Sequence, residues 1–461
     1  MNSWFDDLSA VPNGLALGGG GAKGCYEIGV WKALREQGIR FERVSGTSIG
    51  ALVGAMYVQD SLDSMIEFVQ TIRPDAIAED LFAFPENLGK WVSERKEISG
   101  FLNKYIFSRT GMDISPLKDV IARLFNYQVF EASPVNFACM TFNLTRRRPE
   151  AYFKDEMNAE NAAQIILASA SCYPAFPVMK MNGNEYIDGG YWDNIPVDLA
   201  EKMGAKKVLA INVEGPGLVL PVNKEIDTFT IRPMIQLGSF LDFSKDSCMR
   251  ALNAGELEMG KLLGRWCGHF YTFDLNDEGN LEFWNGYLEF MFSIARVSIA
   301  PKDIETFNQW ACGYTPSTLS KTLCGGQTLF ELVEDLAFFA GLDPVKVWNL
   351  QDFLNTLMDV LGDIHARPFT AIDSADVDRR MMHISMIHAS LLRNGLETVF
   401  HRGASGLSPA EYALALVWQM LESALRPVKE ENEDSTEAGK STENEANADH
   451  PAQAETDKTN H

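Results

Sequence analysis

The chain has 461 residues, 46% of them apolar, and a formal net charge of −23. That length supports two or three domains, or one large domain with additions. The charge argues against a nucleic-acid partner and against strong static attraction to anionic membranes. No apolar run approaches the ~18 residues of a spanning helix, and no basic-then-apolar leader opens the chain. Seven scattered cysteines suggest neither a disulfide framework nor a zinc pattern. Buried free thiols in an intracellular protein are therefore expected.

In chain order, residues 15–17 predict a short strand running into the loop "GGGGAKG" (18–24). A helix follows over 25–37, with Ile28, Trp31 and Leu34 at helical spacing and Gly38 as the stop. Residues 40–45 predict a second strand, followed at once by "GTSIGALVGAMYV", in which Ile49, Leu52, Val53 and Met56 fit a helix. Further on come a strand over 135–144, a helix over 159–170 and a hairpin turning at Asn182 and Gly183. A short helix over 197–203 stops at Gly204, and another strand occupies 208–213. Arg146 to Arg148 beside Pro149 reads as a solvated turn. Strands alternating with helices predict an α/β domain with a mostly parallel sheet.

After about residue 230 helical signals dominate. Thr328 and Glu331 are spaced as a capping box, with Gly341 as the stop. Asp343 before Pro344 reads as another helix start, and Ser408, Pro409 and Glu411 as a third that ends at Pro427. The aromatic-rich stretch 266–292 is expected to be buried core rather than a lipid-facing lid. Residues 381–388 are expected to be packed and polar faces of one helix rather than a metal site. From Lys429 on there are three lysines against ten acids and almost no large apolar residue, the composition of a disordered tail.

The glycine loop fits more than one ligand. A phosphate loop requires Ser or Thr after its lysine, and Lys23 is followed by Gly24. Gly19, Gly21 and Gly24 do satisfy a dinucleotide pattern, with Glu42 eighteen residues beyond. "GTSIG" favours another chemistry. It sets Ser48 between Gly46 and Gly50 where a strand turns into a helix, the context of a nucleophile elbow. Such a serine needs a base, and residues 1–268 contain no histidine. Either one of His269, His365, His383, His388 and His401 is brought in from the helical part, or a carboxylate such as Asp188 acts directly. Asp193 and Glu185 flank Asp188 and read as a turn residue and a strand-face residue; Cys25 reads as a packed thiol.

Taken together, "GGGAKG" (19–24), "GTSIG" (46–50), "DGG" (188–190) and "ASASCYPAFP" (168–177) resemble the patatin-like phospholipases in order and spacing. "FTIRPMIQLGSFLDFSKD" extends the resemblance over residues 11–265. It implies a three-layer sandwich with a mostly parallel central sheet, acting through a Ser48–Asp188 dyad. The backbone N–H groups of Gly19, Gly20 and Gly21 would hold the oxyanion, supported by Lys23, Gly24, Gly46, Gly50, Gly189 and Gly190. Lys23 is either near a phosphate head group or simply solvated. The expected organisation is an N-terminal extension (1–10), the hydrolase domain (11–265), a helical C-terminal domain (266–427) and an acidic tail (428–461). The expected activity is hydrolysis of phospholipid or glycerolipid esters at a membrane or micelle surface, with no cofactor, metal or nucleic acid. A cavity used only to bind lipid or nucleotide, or a triad esterase, is the alternative. The expected location is cytoplasmic, at most peripheral to membranes, with delivery into another cell left open.

Overall fold

The computed structural model describes residues 2–78, 111–298, 328–366, 379–401 and 409–426. Its main sheet contains β1 (Asn13–Leu17), β2 (Arg43–Thr47), β3 (Asn136–Asn143), β4 (Arg148–Phe153), β5 (Met179–Met181), β6 (Asn184–Asp188), β7 (Lys207–Ile211) and β8 (Asp227–Ile231). The strand order is β5-β6-β3-β2-β1-β7-β8, with β4 as a further partner of β3. Strands β3, β2, β1, β7 and β8 run parallel, whereas β4, β5 and β6 are antiparallel additions. All five residues of β1 and of β7 are buried, as a parallel strand covered on both faces requires.

Flanking helices are α1 (Cys25–Glu36), α2 (Ile49–Val58), α3 (Leu62–Thr71), α4 (Ser115–Leu124), α5 (Tyr127–Ala132), α6 (Ala162–Ser169), α7 (Val197–Lys202) and α8 (Lys245–Leu262). The sequence reading located α1, α2, α6 and α7 but not α3, α4, α5 or α8. The inward face of α8 carries Cys248, Ala251, Gly255 and Met259, small or adaptable residues that make a weak periodic signal. β2 begins at Arg43, three residues later than expected, because Phe41 is held outside the ladder by its N–H bond to the Tyr57 hydroxyl (2.8 Å). The Asn182–Gly183 turn is as expected, both residues having positive φ (51° and 74°), which suits the twist of a two-residue hairpin. Residues 2–10 pack against the sheet, with Phe5 and Leu8 buried in its core and Trp4 stacked on Phe229.

The topology places chain ends where chemistry can occur. Leu17 is in register with Gly46 and Thr47 with Met140, while Thr141 is in register with Asp188. The glycine loop, Ser48 and Asp188 therefore leave neighbouring strands at one edge of the sheet, where open α/β sheets bind ligands.

Beyond α8 lie β9 (Thr272–Phe273), α9 (Glu278–Val297), α10 (Phe330–Phe339), β10 (Val347–Trp348), α11 (Leu350–Ala366), α12 (Arg379–His401) and α13 (Pro409–Leu425). They share a second hydrophobic cluster running from Tyr271 to Leu421. Asp343 and Pro344 do not start a helix, contrary to the sequence reading. Asp343 accepts the Val345 N–H and pairs with Arg250, Val347–Trp348 pairs with β9, and Asn349 instead caps α11 through the N–H groups of Gln351 and Asp352. Asn349 is preferred because its oxygen reaches two free helical amides at once. The aromatic stretch is divided: Tyr271, Phe273 and Phe292 are buried, but Phe283 and Phe290 are exposed on α9. Arg146 and Arg148 flank a turn and pair with Glu150, as a solvated turn should. Ser408, Pro427 and the expected tail at 428–461 lie outside the described residues.

Candidate active site

β2 delivers Ser48 with φ 58° and ψ −126°, a conformation that a non-glycine residue holds only when its surroundings impose it. Several bonds impose it here. The Ser48 N–H donates to Ser169 Oγ (3.0 Å), and the Ser169 hydroxyl donates to the Met140 carbonyl (2.6 Å). The Thr47 and Ser45 hydroxyls donate to the carbonyls of Asp193 and Pro196, both at 2.8 Å. The elbow is thus tied to α6, to β3 and to the segment that follows Asp188. Gly24, Gly46, Gly50 and Gly189 each lie where an added Cβ would overlap the facing chain, at Ile49, Gly50, Leu17 and Met140 respectively. The elbow and the Asp188 turn are packed backbone against backbone, and Gly24 of the loop against the Ile49 side chain.

Asp188 ends β6 and is 5% exposed. Burial pushes its carboxyl up from 3.8 to about 6, opposed by hydrogen bonds from the Ser48 hydroxyl and the Gly190 N–H. The Gly190 bond is 2.8 Å long and holds Oδ1. Asp193 is likewise pushed up to about 6 by burial, but its carboxylate accepts the Ile195 and Leu220 N–H groups, so it shapes a turn. Glu185 faces Lys180 on the exposed hairpin. The Cys25 thiol is hydrogen-bonded to Cys248 and buried, which pushes it far above the range of a reactive thiolate.

The glycine loop is held along its length by other backbone. Gly18 N–H donates to the Ile211 carbonyl (3.1 Å), Gly19 N–H to the Asn194 carbonyl (3.0 Å), and Ala22 N–H to the Phe240 carbonyl (2.8 Å). Asn194 also returns its side-chain amide to the Gly19 carbonyl at 3.0 Å. Of the three amides named from the sequence, Gly19's is therefore already used, while those of Gly20 and Gly21 have no acceptor among the described residues. Ile49 adds a third free amide, because it opens α2 and the first helical N–H groups have no partner within their helix. Gly20, Gly21, Ser48, Ile49 and Asp188 line one cleft. Lys23 points elsewhere, its ammonium holding the Glu214 carbonyl at 3.1 Å.

Away from Ser48 the cleft runs between α2, α3 and α4 over apolar side chains, among them Ile28, Leu52, Met56, Met65, Phe68 and Ile121. It contains about 1060 Å³ of unfilled space, its open mouth included. Among the described residues no histidine lines it. His269 is half-buried, and that desolvation lowers its pKa to about 4, while His388 is stacked on Trp418 in the second cluster. No group of three metal-ligating side chains occurs among the described residues, and no helix there is long and apolar enough to cross a membrane. Sequence reasoning missed Asn194, Ser169 and Ile49. Only Ile49 had a usable signal, as the residue that follows the elbow serine.

Residues 15–201 match the model of the patatin-like phospholipase family. The chain is 33% identical over 215 residues to lysophospholipase NTE1 of Mycosarcoma maydis, covering 45% of this chain and 10% of that protein. It is 31% identical over 218 residues to patatin-like phospholipase domain-containing protein 7 of Rattus norvegicus, covering 46% of this chain and 14% of that one. This chain thus spans a small part of the length of those relatives. Among solved structures it is similar to VipD from Legionella pneumophila, with a TM-score of 0.31 and 15% identity over 92% of this chain and 93% of that one.

Proposed function

We propose that residues 15–201, which match the patatin-like phospholipase family model, form such a domain and that the protein is a serine acyl hydrolase of phospholipid or other glycerolipid esters. Ser48 is the nucleophile and Asp188 the base. The Ser48 oxygen attacks the ester carbonyl while its proton passes to Asp188. The oxyanion that forms is held by the N–H groups of Gly20, Gly21 and Ile49, aided by the positive end of the α2 dipole. Asp188 returns the proton to the departing alcohol, and water then cleaves the acyl-enzyme by the same steps. The apolar length of the cleft receives the acyl chain, which explains why so few polar groups line it.

The observation that carries this reading is the pairing of an elbow serine with a buried carboxyl raised to about 6, in a cleft that no described histidine lines. A carboxylate with that pKa is ionised at neutral pH yet basic enough to receive a proton in the transition state. A fluorophosphonate probe tests it. Mass spectrometry is expected to find the label on Ser48 in the wild-type chain and little or none in Asp188→Asn. A folded wild-type protein left unlabelled at Ser48 would overturn the reading and favour a binding cavity without turnover.

Asn194 acts here as the brace of the oxyanion loop, since its side-chain amide holds the Gly19 carbonyl. Asn194→Ala is expected to lower kcat/KM for a p-nitrophenyl ester about 10- to 100-fold with KM little changed. One hydrogen bond of roughly 1–2 kcal/mol is lost from the loop rather than from the substrate. Steady-state kinetics, with thermal melting as the folding control, provide the check.

A further inference from the structure

Large exposed apolar side chains lie on two segments that adjoin the cleft, one following Asp188 and the other following Pro216. Tyr191 and Trp192 follow directly on the Asp188 turn and are 45% and 40% exposed. Leu218, Val219 and Val222, exposed by 58%, 52% and 40%, lie on the segment after β7. Two backbone bonds clip the segments side by side: Asn194 N–H to the Leu218 carbonyl (2.5 Å) and Leu218 N–H to the Gly190 carbonyl (2.9 Å). The Tyr191 hydroxyl donates to the Tyr173 carbonyl, so that ring is held rather than free to fold inward. Pro216, between the clip and the loop, lines the same cleft as Ser48 and Asp188.

A folded chain gains nothing by leaving five such side chains in water beside one another. Neither 189–197 nor 215–223 contains a lysine or arginine, and the carboxylates at the patch, Asp188 and Asp193, are buried. The patch therefore has apolar area and amphipathic rings, with the exposed Lys224 only at its edge, two residues past Val222.

We infer that Tyr191, Trp192, Leu218, Val219 and Val222 form the face by which this protein settles on an electrically neutral lipid surface. That face sets the cleft mouth against the surface from which an ester would enter. The occupant is a zwitterionic bilayer or micelle rather than a protein for two reasons. The two segments that carry the patch also carry Asn194 and Pro216, which line the apolar cleft, and aromatic rings with a polar edge partition to the level of lipid head groups. The net charge of −23 also disfavours an anionic surface. The inference rests on the proposed lipid-ester chemistry for its purpose, but not for its test.

The test is flotation of the full chain with phosphatidylcholine vesicles, using Ser48→Ala so that hydrolysis cannot alter the lipid. Trp192→Ser is expected to weaken partition about tenfold, and Trp192→Ser/Leu218→Ser/Val219→Ser about a hundredfold, with thermal melting confirming that each folds. Adding phosphatidylglycerol is expected not to strengthen binding. A second reading survives any folding defect: the vesicle-induced blue shift of tryptophan emission should largely vanish in Trp192→Phe while partition persists. A triple variant that partitions like the parent overturns the inference. So does a variant that only dissociates a dimer of the parent, which would make the face an interface between copies. Vesicle binding by a wild-type chain that hydrolyses no ester would leave this inference standing and end the catalytic one.

Discussion

Ser48→Ala is expected to lower ester hydrolysis at least about 10⁴-fold, because in the proposed mechanism it removes the atom that forms the acyl-enzyme and leaves only binding and the oxyanion amides. Steady-state turnover of a p-nitrophenyl ester measures it, and a folded variant retaining more than about 1% of wild-type activity would sink the mechanism. Stability provides a second readout. Alanine at φ 58° bears the same strain as serine, so the alanine variant should melt close to the wild type. Ser48→Gly should be equally inactive but about 1 kcal/mol more stable, since glycine adopts that backbone without the Cβ clash. A glycine variant no more stable than the alanine one would mean that the elbow is unstrained.

Asp188→Asn is expected to lower kcat/KM about 10³- to 10⁴-fold and, at neutral pH, to stabilise the fold. Asparagine keeps an oxygen for the Gly190 N–H but cannot take the Ser48 proton. Burial raises the Asp188 carboxyl from 3.8 to about 6, so the folded chain holds its proton more tightly than the unfolded chain. The resulting penalty is absent below pH 3.8, grows between 3.8 and 6, and stays constant above. It amounts to about 3 kcal/mol at pH 7, as an order of magnitude. The variant should thus unfold later than the wild type at pH 8 and alongside it near pH 3.5, as denaturant melts at the two pH values will report. Asp193 is raised to a similar value but is present in both chains, so it cancels in the difference. For the wild type, kcat/KM should rise with pH through about 6 and then level off, because only ionised Asp188 accepts the proton. An inflection near 4 would mean that the working carboxylate is solvated, and the buried Asp188 is not it.

Much of this was legible in the linear order of residues. The glycine run after an apolar strand, the serine between glycines at the next strand end, and the Asp-Gly-Gly after a hairpin are local patterns. Local geometry alone demands small residues at those turns, so the patterns survive without any knowledge of packing. The helix at 245–262 escaped because its buried face mixes small and polar residues with apolar ones, that at 278–297 because only Leu288, Phe292 and Ala295 are buried along its twenty residues, and the start of α11 was misplaced because Asp343 and Asn349 are equally good caps on paper.

The linear order of residues supplies the candidate chemistry: a serine between glycines, carboxylates at 185, 188 and 193, no histidine before residue 269, and a loop with bare amides. Which of these groups is left without a partner depends on the fold. Gly19 looks like its neighbours in the sequence, yet its amide is used by Asn194, 175 residues away. The pKa of Asp188 depends on how fully other elements exclude water from it. Hydrogen-bond competition and desolvation are set by what folds against a residue, and that information is spread over the whole chain.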